Sequence, residues 1–350
     1  MTRLIAIVGP TASGKSVVGV ELARKINGEI ISCDSMQVYK GMPVCTQAPP
    51  KIVRGIRHHL VSFVDPSREY SAAQFRKDAE RAVHSILKQK KAPILVGGTG
   101  LYLRALLDGL FESSAKDEAF RERLNAEAAE KTPVFLHERL TKADPATAAK
   151  IHPNDLRRII RALEVYHQTG KPMSELKPKR QGLRSSLDCR VFLLDRDRAE
   201  LYARIDKRVD AMLRGGLLRE AKRLSKKRLS QTAAMALGLK EAKQYLMGEI
   251  PLKDAVDLLK KNSRNYAKRQ LSWFRHERDV VVIPVKEKEM TTSIIDKIMT
   301  VLYNSSHTPL FSAKHRGGSA VFCGGIKEGG SQKPERRSPS FLKRGTVGGS

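Results

Sequence analysis

The first third of the chain alternates short apolar runs with longer stretches whose apolar positions recur every three or four residues. The runs stand at residues 4–8 (LIAIV), 29–33 (EIISC), 59–64 (HLVSFV) and 93–96 (PILV), with amphipathic segments between them, notably 71–90. Short runs without polar alternation suit strands buried on both faces, and strands alternating with helices predict a parallel sheet covered on both sides. From residue 112 to about 185 the pattern becomes helical, charged and Ala-rich, with no strand signal. The run Val191-Phe192-Leu193-Leu194 then reads as a late strand rejoining the sheet, and residues 198–290 read as basic helices. The expected organisation is an α/β core begun by residues 1–111, a helical insertion at 112–187, and core completion with C-terminal helices at 188–303. Residues 304–350 are a basic Gly/Ser-rich tail, with too little apolar surface to offset the entropy of ordering it.

Charge narrows the partners. The chain has 350 residues with 65 Lys+Arg against 37 Asp+Glu, a formal net charge of +28. The tail from Asn304 holds eight Lys+Arg and two Glu, so 8 − 2 = +6 belongs to it and 28 − 6 = +22 to the remainder. A small-metabolite enzyme has no need of such a surplus; a polyanion does, and nucleic acid fits better than a membrane surface. No apolar run reaches the roughly 18 residues of a membrane span, and no leader pattern is present. Cys33, Cys45, Cys189 and Cys323 are widely spaced, which predicts neither a disulfide framework nor a zinc site. A reducing cytoplasm is expected.

Directly after the first apolar run comes GPTASGKS: Gly9, Pro10, Thr11, Ala12, Ser13, Gly14, Lys15 and Ser16. It matches the phosphate-loop pattern G-x-x-x-x-G-K-[ST]. The glycines let backbone N–H groups converge on an anion, and the following helix adds its positive end. Lys15 supplies a cation for outer phosphate oxygens, and the Ser16 hydroxyl is the expected Mg²⁺ ligand. Strand before and helix after place the motif in a P-loop NTPase-like α/β sheet. A bound phosphate or diphosphate follows; the loop does not say which.

Other strand ends carry further chemistry. Asp34-Ser35-Met36-Gln37 follows EIISC, so Asp34 is placed beside the phosphate loop as a general base or metal ligand, or else as a helix cap. The third strand end, Gly97-Gly98-Thr99-Gly100, allows close backbone approach and presents a hydroxyl where an NTPase usually has a metal-binding Asp; Asp195 is a rival for that acidic role. In IHPNDLRRIIRALEV, Pro153-Asn154-Asp155 start a helix with Leu156, Ile159, Ile160 and Leu163 on its apolar face and Arg157, Arg158 and Arg161 opposite. RIDKR sets Arg204 and Arg208 one turn apart above an apolar stripe of Ile205, Val209 and Met212. Lys261, Arg264, Lys268 and Arg275 form another basic stripe.

In their order, GPTASGKS, DSMQVYKGM, YSAAQFRKDA, VGGTGLYLRALL, IHPNDLRRIIRALEVY and RNYAKRQLSWFRH resemble the tRNA dimethylallyltransferases, from about residue 3 to 285. The resemblance implies transfer of a prenyl group to N6 of adenosine 37, next to the anticodon, by a P-loop α/β core whose helical insertion grips the anticodon stem-loop of tRNA. It implies that Gly9 to Ser16 hold the diphosphate of dimethylallyl diphosphate with Mg²⁺ instead of a nucleoside triphosphate. Asp34 would take the N6 proton, Arg208 would neutralise the departing diphosphate, and Thr11 would lie close to the reacting centre. Asp34, Ser35, Met36, Gln37, Thr99 and the segment Arg157, Arg158, Ile159, Ile160, Arg161 match the family's tRNA-contacting positions. A monomer is the family's usual form. Three departures stand out: Cys45 occupies a position usually given to Gly, Leu239 one often given to Tyr, and the basic Gly/Ser tail after residue 303 is not a family feature. A phosphate-loop kinase is disfavoured by the Gly-Gly-Thr strand end. A prenyltransferase acting on free adenine nucleotides has no use for the basic insertion.

Overall fold

The computed structural model describes residues 3–110, 116–176 and 181–304. Strand β1 (Arg3–Val8) leads through the phosphate loop into α1 (Lys15–Lys25). Strand β2 (Gly28–Cys33) is followed by the short α2 (Pro43–Thr46) and a hairpin of β3 (Ile52–Val53) and β4 (Ile56–His59). Then come α3 (Ala72–Lys88), β5 (Ala92–Gly97) and α4 (Gly100–Leu107). Five helices form the insertion: α5 (Glu118–Lys131), α6 (Pro133–Ala143), α7 (Pro145–Ala148), α8 (Leu156–Thr169) and α9 (Met173–Leu176). Strand β6 (Asp188–Arg196) returns to the sheet. After it run α10 (Arg198–Arg214), α11 (Leu217–Ser225), α12 (Gln231–Ala234), α13 (Leu239–Leu246), α14 (Leu252–Arg275), β7 (Val280–Val285) and α15 (Thr291–Asn304).

The strands form one seven-stranded sheet in the order β3-β4-β2-β5-β1-β6-β7, parallel except for the β3–β4 hairpin. Alternation along β1 shows why an uninterrupted apolar run was needed. Ile5 and Ile7 join the core under α1 and α15, whereas Leu4, Ala6 and Val8 join the core under α3, α4 and the C-terminal helices. Register carries the functional consequence. Val8 lies opposite Gly97 and Leu193, and Cys33 opposite Gly97, so the carboxyl ends of β2, β5, β1 and β6 finish at one level. Whatever follows these strands is brought together there.

The α/β class, the parallel sheet and the late strand at 191–194 are as expected. Two elements differ. HLVSFV is a strand only at His59: Leu60 and Ser62 take positive φ (59° and 48°), which breaks the extended run. The N–H groups of Ser62, Phe63 and Val64 instead donate to Gln37 and Val38, wrapping the segment around the turn after β2. Strand β7 lies in a region expected to be helical to 290, whereas α15 falls in the segment to 303 where C-terminal helices were expected. β7 contains Pro284, which the sheet tolerates because β7 is an edge strand paired only with β6. The expected tail, with Cys323, lies outside the described residues.

The insertion has its own apolar cluster, built on Phe120, Leu124, Leu136, Leu140, Ile159, Ile160 and Leu163. Helix α8 begins where Asp155 accepts the Arg158 N–H, directly after Pro153-Asn154. At the centre sits Glu164, fully buried, accepting hydrogen bonds from the Asp117 N–H, from Arg121 Nε and Nη2, and from Arg161 Nη1. Burial pushes its carboxyl up, but the bonds from Arg121 and Arg161 more than offset this and hold it at about 2 instead of 4.5. Glu164 thus contributes stability in full above pH 4.5, and loses it as pH falls toward 2. Glu164→Ala is expected to cost about 3 kcal/mol, because it strands two arginines in a partly buried site. Thermal unfolding between pH 3 and 7 checks this: the gap between wild type and variant should close as the pH falls.

Candidate active site

Ala12 and Gly14 take positive φ (65° and 94°), which curls the phosphate loop, and Gly14 caps α1 in a conformation that glycine adopts without strain. The loop's outer carbonyls are held by two arginines: Arg196 Nε donates to Ser13 O (2.8 Å) and Arg204 Nε to Ala12 O (2.9 Å). With carbonyls turned outward, N–H groups remain for the inside. Ser13 is fully buried, and its hydroxyl has no partner among the described residues. Lys15 Nζ rests on Pro10 O at 3.0 Å, across the loop's mouth.

At the end of β2, Asp34 Oδ1 accepts the N–H groups of Met36 (2.9 Å) and Gln37 (3.3 Å). Asp34 therefore caps a turn, where a helix cap was the expected alternative, and this occupies only one oxygen; the other makes no hydrogen bond among the described residues. Thr99, at the end of β5, accepts the Ser35 N–H (3.0 Å) and donates to Ser35 Oγ, tying the two strand ends together. The Tyr266 side chain of α14 lines the cavity beside Thr99. One helical turn on, Gln270 accepts the Thr11 N–H at 2.9 Å and donates to Gly98 O at 2.8 Å. The close approach expected of the Gly-rich strand end is made to α14: a Cβ at Gly98 would sit 2.1 Å from Gln270 Nε2, and one at Gly100 2.2 Å from the Trp273 ring.

These parts enclose a cavity of about 360 Å³. Thr11, Lys15, Ser16, Asp34, Arg208 and Gln270 line one part, and Ile205, Val209, Met212, Met235 and Leu237 give it an apolar wall. Burial lowers Lys15 from 10.5 to about 8, with Asp34 opposing the shift and Arg208 adding to it. Burial also lowers Arg208, again opposed by Asp34. Arg208 makes no hydrogen bond or ion pair among the described residues. The site therefore holds two desolvated cations against one carboxylate, a surplus that an anion would relieve. A resident metal centre is not built in, since no cluster of three His, Cys, Asp or Glu is present among the described residues. The Ser16 hydroxyl, which lines the cavity, nevertheless fits an Mg²⁺ ion that would take its remaining ligands from a bound diphosphate and water.

Gly9 to Ser16, Asp34 to Gln37, Thr99 and Arg208 thus meet at one cavity or its rim. The insertion residues lie apart, and their exposures differ. Arg157 and Arg158 are exposed, whereas Arg161 is half-buried on Glu164 and belongs to the internal ion-pair cluster instead of an outer face. Ile159 and Ile160 are buried in the insertion's core, so their side chains hold the helix and do not face a ligand. Asp195 pairs with Arg275 (2.9 Å) and is not among the residues lining the cavity. In the second basic stripe, Arg264 pairs with Asp206. Leu239 is buried in the main core. Cys45 is also buried, and its N–H donates to Glu220 Oε1. Residue spacing does not reveal Gln270, Tyr266 or Arg196, and it marks Arg204 only as a helix-face cation, because each acquires its partner only through folding. The glycines at 98 and 100 were the trace of the close approach, while the α14 residues that make it stood unassigned within RNYAKRQLSWFRH.

Comparison with known proteins gives the chain's family. The profile of the IPP transferase family matches residues 37–277. A tRNA dimethylallyltransferase of Carboxydothermus hydrogenoformans is 47% identical over 301 residues, covering 85% of this chain and 96% of that protein. The crystal structure of the full-length tRNA isopentenylpyrophosphate transferase from Bacillus halodurans is similar with a TM-score of 0.64 and 38% identity, covering 87% of this chain and 98% of the other. A eukaryotic dimethylallyltransferase acting on tRNA superposes with a TM-score of 0.75 at 31% identity, over 89% of this chain and 82% of the other.

The Lys15 shift sets a pH dependence. An anion in the loop favours the charged ammonium, so binding takes up a proton once the pH exceeds about 8. Affinity for inorganic diphosphate, measured by calorimetry, should be flat below that pH and fall by up to about tenfold per unit above it. Lys15→Ala should bind weakly and lose the dependence.

Proposed function

The chain belongs to the IPP transferase family, and from that premise we propose that it transfers a dimethylallyl group from dimethylallyl diphosphate to N6 of adenosine 37 of tRNA. The observation that carries this reading is the cavity itself, where a phosphate loop with surplus buried positive charge, one half-free carboxylate and an apolar wall share about 360 Å³. The diphosphate lies in the Gly9–Ser16 nest against Lys15, and the prenyl tail lies along Ile205, Val209 and Met212. N6 approaches C1 of the donor from the Asp34 side. The N6–C1 bond forms as the C1–oxygen bond breaks, and the free oxygen of Asp34 takes the N6 proton. Negative charge building on the leaving diphosphate is stabilised by the loop N–H groups, Lys15 and Arg208, all in place beforehand. Mg²⁺, held by Ser16, would supply further neutralisation of that charge. The target base must leave its stack to reach a cavity of this depth. The Ser35–Thr99–Tyr266 cluster stands at the rim to receive it.

The insertion serves the macromolecule. A separate helical unit with exposed arginines suits the anticodon stem-loop, whereas a free nucleotide needs no such reach. Among the described residues no helix is long and apolar enough to cross a membrane, and we assign the enzyme to the cytoplasmic tRNA pool as a monomer.

Incubation with labelled dimethylallyl diphosphate, Mg²⁺ and either tRNA, AMP or ATP tests the reading. Label should enter tRNA alone, and labelling of AMP instead would move the substrate to free nucleotides. Asp34→Ala should lose roughly 10²–10⁴ in rate with tRNA affinity within a few-fold; a variant keeping more than half of kcat would leave Asp34 only its turn-capping role.

Arg157 and Arg158 carry the second expectation. If they meet tRNA phosphates, changing both to Gln should weaken tRNA binding and flatten the salt dependence of log K by a slope of roughly one per lost contact. Donor affinity should not change. Arg161→Gln should act differently, lowering thermal stability through Glu164. An unchanged salt slope in the double variant would place the tRNA elsewhere, with the Lys261–Lys268 stripe next in line.

A further inference from the structure

Gln270 touches both halves of the site and has no role in the chemistry outlined above. Its side chain is buried, with the residue 6% exposed, and both ends of the amide are used. Oε1 accepts the N–H of Thr11, in the loop that takes the donor; Nε2 donates to the carbonyl of Gly98, one residue before Thr99 on the acceptor side. The two bonds have opposite polarity, so no other side chain of this length satisfies both: a carboxylate lacks the donor, and Leu or Met lacks both groups. The backbone at residue 98 is matched to it. A Cβ there would stand 2.1 Å from Nε2 and 3.4 Å from Gly9 O. The neighbouring turns of α14 brace the same place, with Tyr266 beside Thr99, and Trp273 against Gly100 with Arg104 over its ring.

Resting on the functional reading above, we propose that Gln270 is a positioning residue that couples the diphosphate loop to the acceptor-side strand end. One amide then sets the distance between donor carbon and incoming N6. It also holds the Thr11 N–H away from the cavity, so Thr11 faces the ligand with its side chain while the following N–H groups form the nest. The Gly at 98 exists to admit this amide.

The test measures kcat and the donor KM with tRNA for wild type, Gln270→Ala, Gly98→Ala, the double variant and Gln270→Glu. Gln270→Ala should lose about 10–100-fold in kcat/KM, divided between a raised donor KM and a lowered kcat, as misplaced reactants require. Gly98→Ala should be at least as damaging alone, yet add little once Gln270 has been shortened, because the clash is with that side chain. Gln270→Glu provides a readout that a merely structural role would not move. Its carboxylate repels Gly98 O, and protonation restores the donor, so its activity relative to wild type should rise as the pH is lowered. Wild-type values of kcat and KM in Gln270→Ala, additive losses in the double variant, or a pH-independent Gln270→Glu ratio would each overturn the proposal. Wild-type protein that neither binds dimethylallyl diphosphate nor labels tRNA would overturn the functional reading, and this proposal with it.

Discussion

Helix α14 comes to rest on a strand end that has no side chains to keep it away. That contact is the constraint on which the site depends. Four parallel strands already finish level, but level strand ends make only an open shelf. The shelf becomes a cavity because Gly98 and Gly100 let Gln270 and Trp273 reach the backbone. The same helix carries Tyr266 to Thr99 and covers the gap between the phosphate loop and the turn after β2. The apolar wall from α10 is the opposite side of the enclosure. A helix docked one side-chain layer farther out would leave the diphosphate nest open to water, where its cations would be worth far less.

The second organising feature is electrostatic. Lys15 and Arg208 are desolvated in the same small volume with only Asp34 between them in charge. Such an arrangement is costly to the empty protein, and it is the preorganisation that a leaving diphosphate uses. Arg196 and Arg204 serve it from outside. They occupy the loop's carbonyls, so that the loop offers its donors inward. Asp34 divides its oxygens between structure and chemistry: one fixes the turn that carries Ser35 and Gln37, and the other remains for the proton. The turn cap thereby aims the base.

The insertion follows a different economy. Its core is separate from the two cores on the sheet, and a buried carboxylate of α8 ties that helix to the start of α5 through Asp117, Arg121 and Arg161. Arg161 is thus spent internally, which leaves Arg157 and Arg158 as the exposed cations of that helix. Counting arginines along the helix overstates the charge presented to an RNA, because an ion pair to a buried Glu is neutralised before any phosphate arrives.

The sequence by itself determined the class of the sheet, the phosphate loop and the identity of the family, because each is written in local terms. Apolar runs such as LIAIV must be buried on both faces, and the spacing of Gly9, Gly14, Lys15 and Ser16 has few other uses. It determined that Asp34 and Thr99 lie at strand ends, and so near the loop. Tertiary structure alone decided the rest. The strand expected at HLVSFV failed because two left-handed residues wrap that segment around the Asp34 turn, a preference set by the turn and not by the run's own apolarity. VVVIPV became a strand because an edge position was open to Pro284. Gln270 is one polar residue among many on a basic helix until the fold sets Gly98 opposite it, and a hydrogen bond across 172 residues leaves no period in the chain.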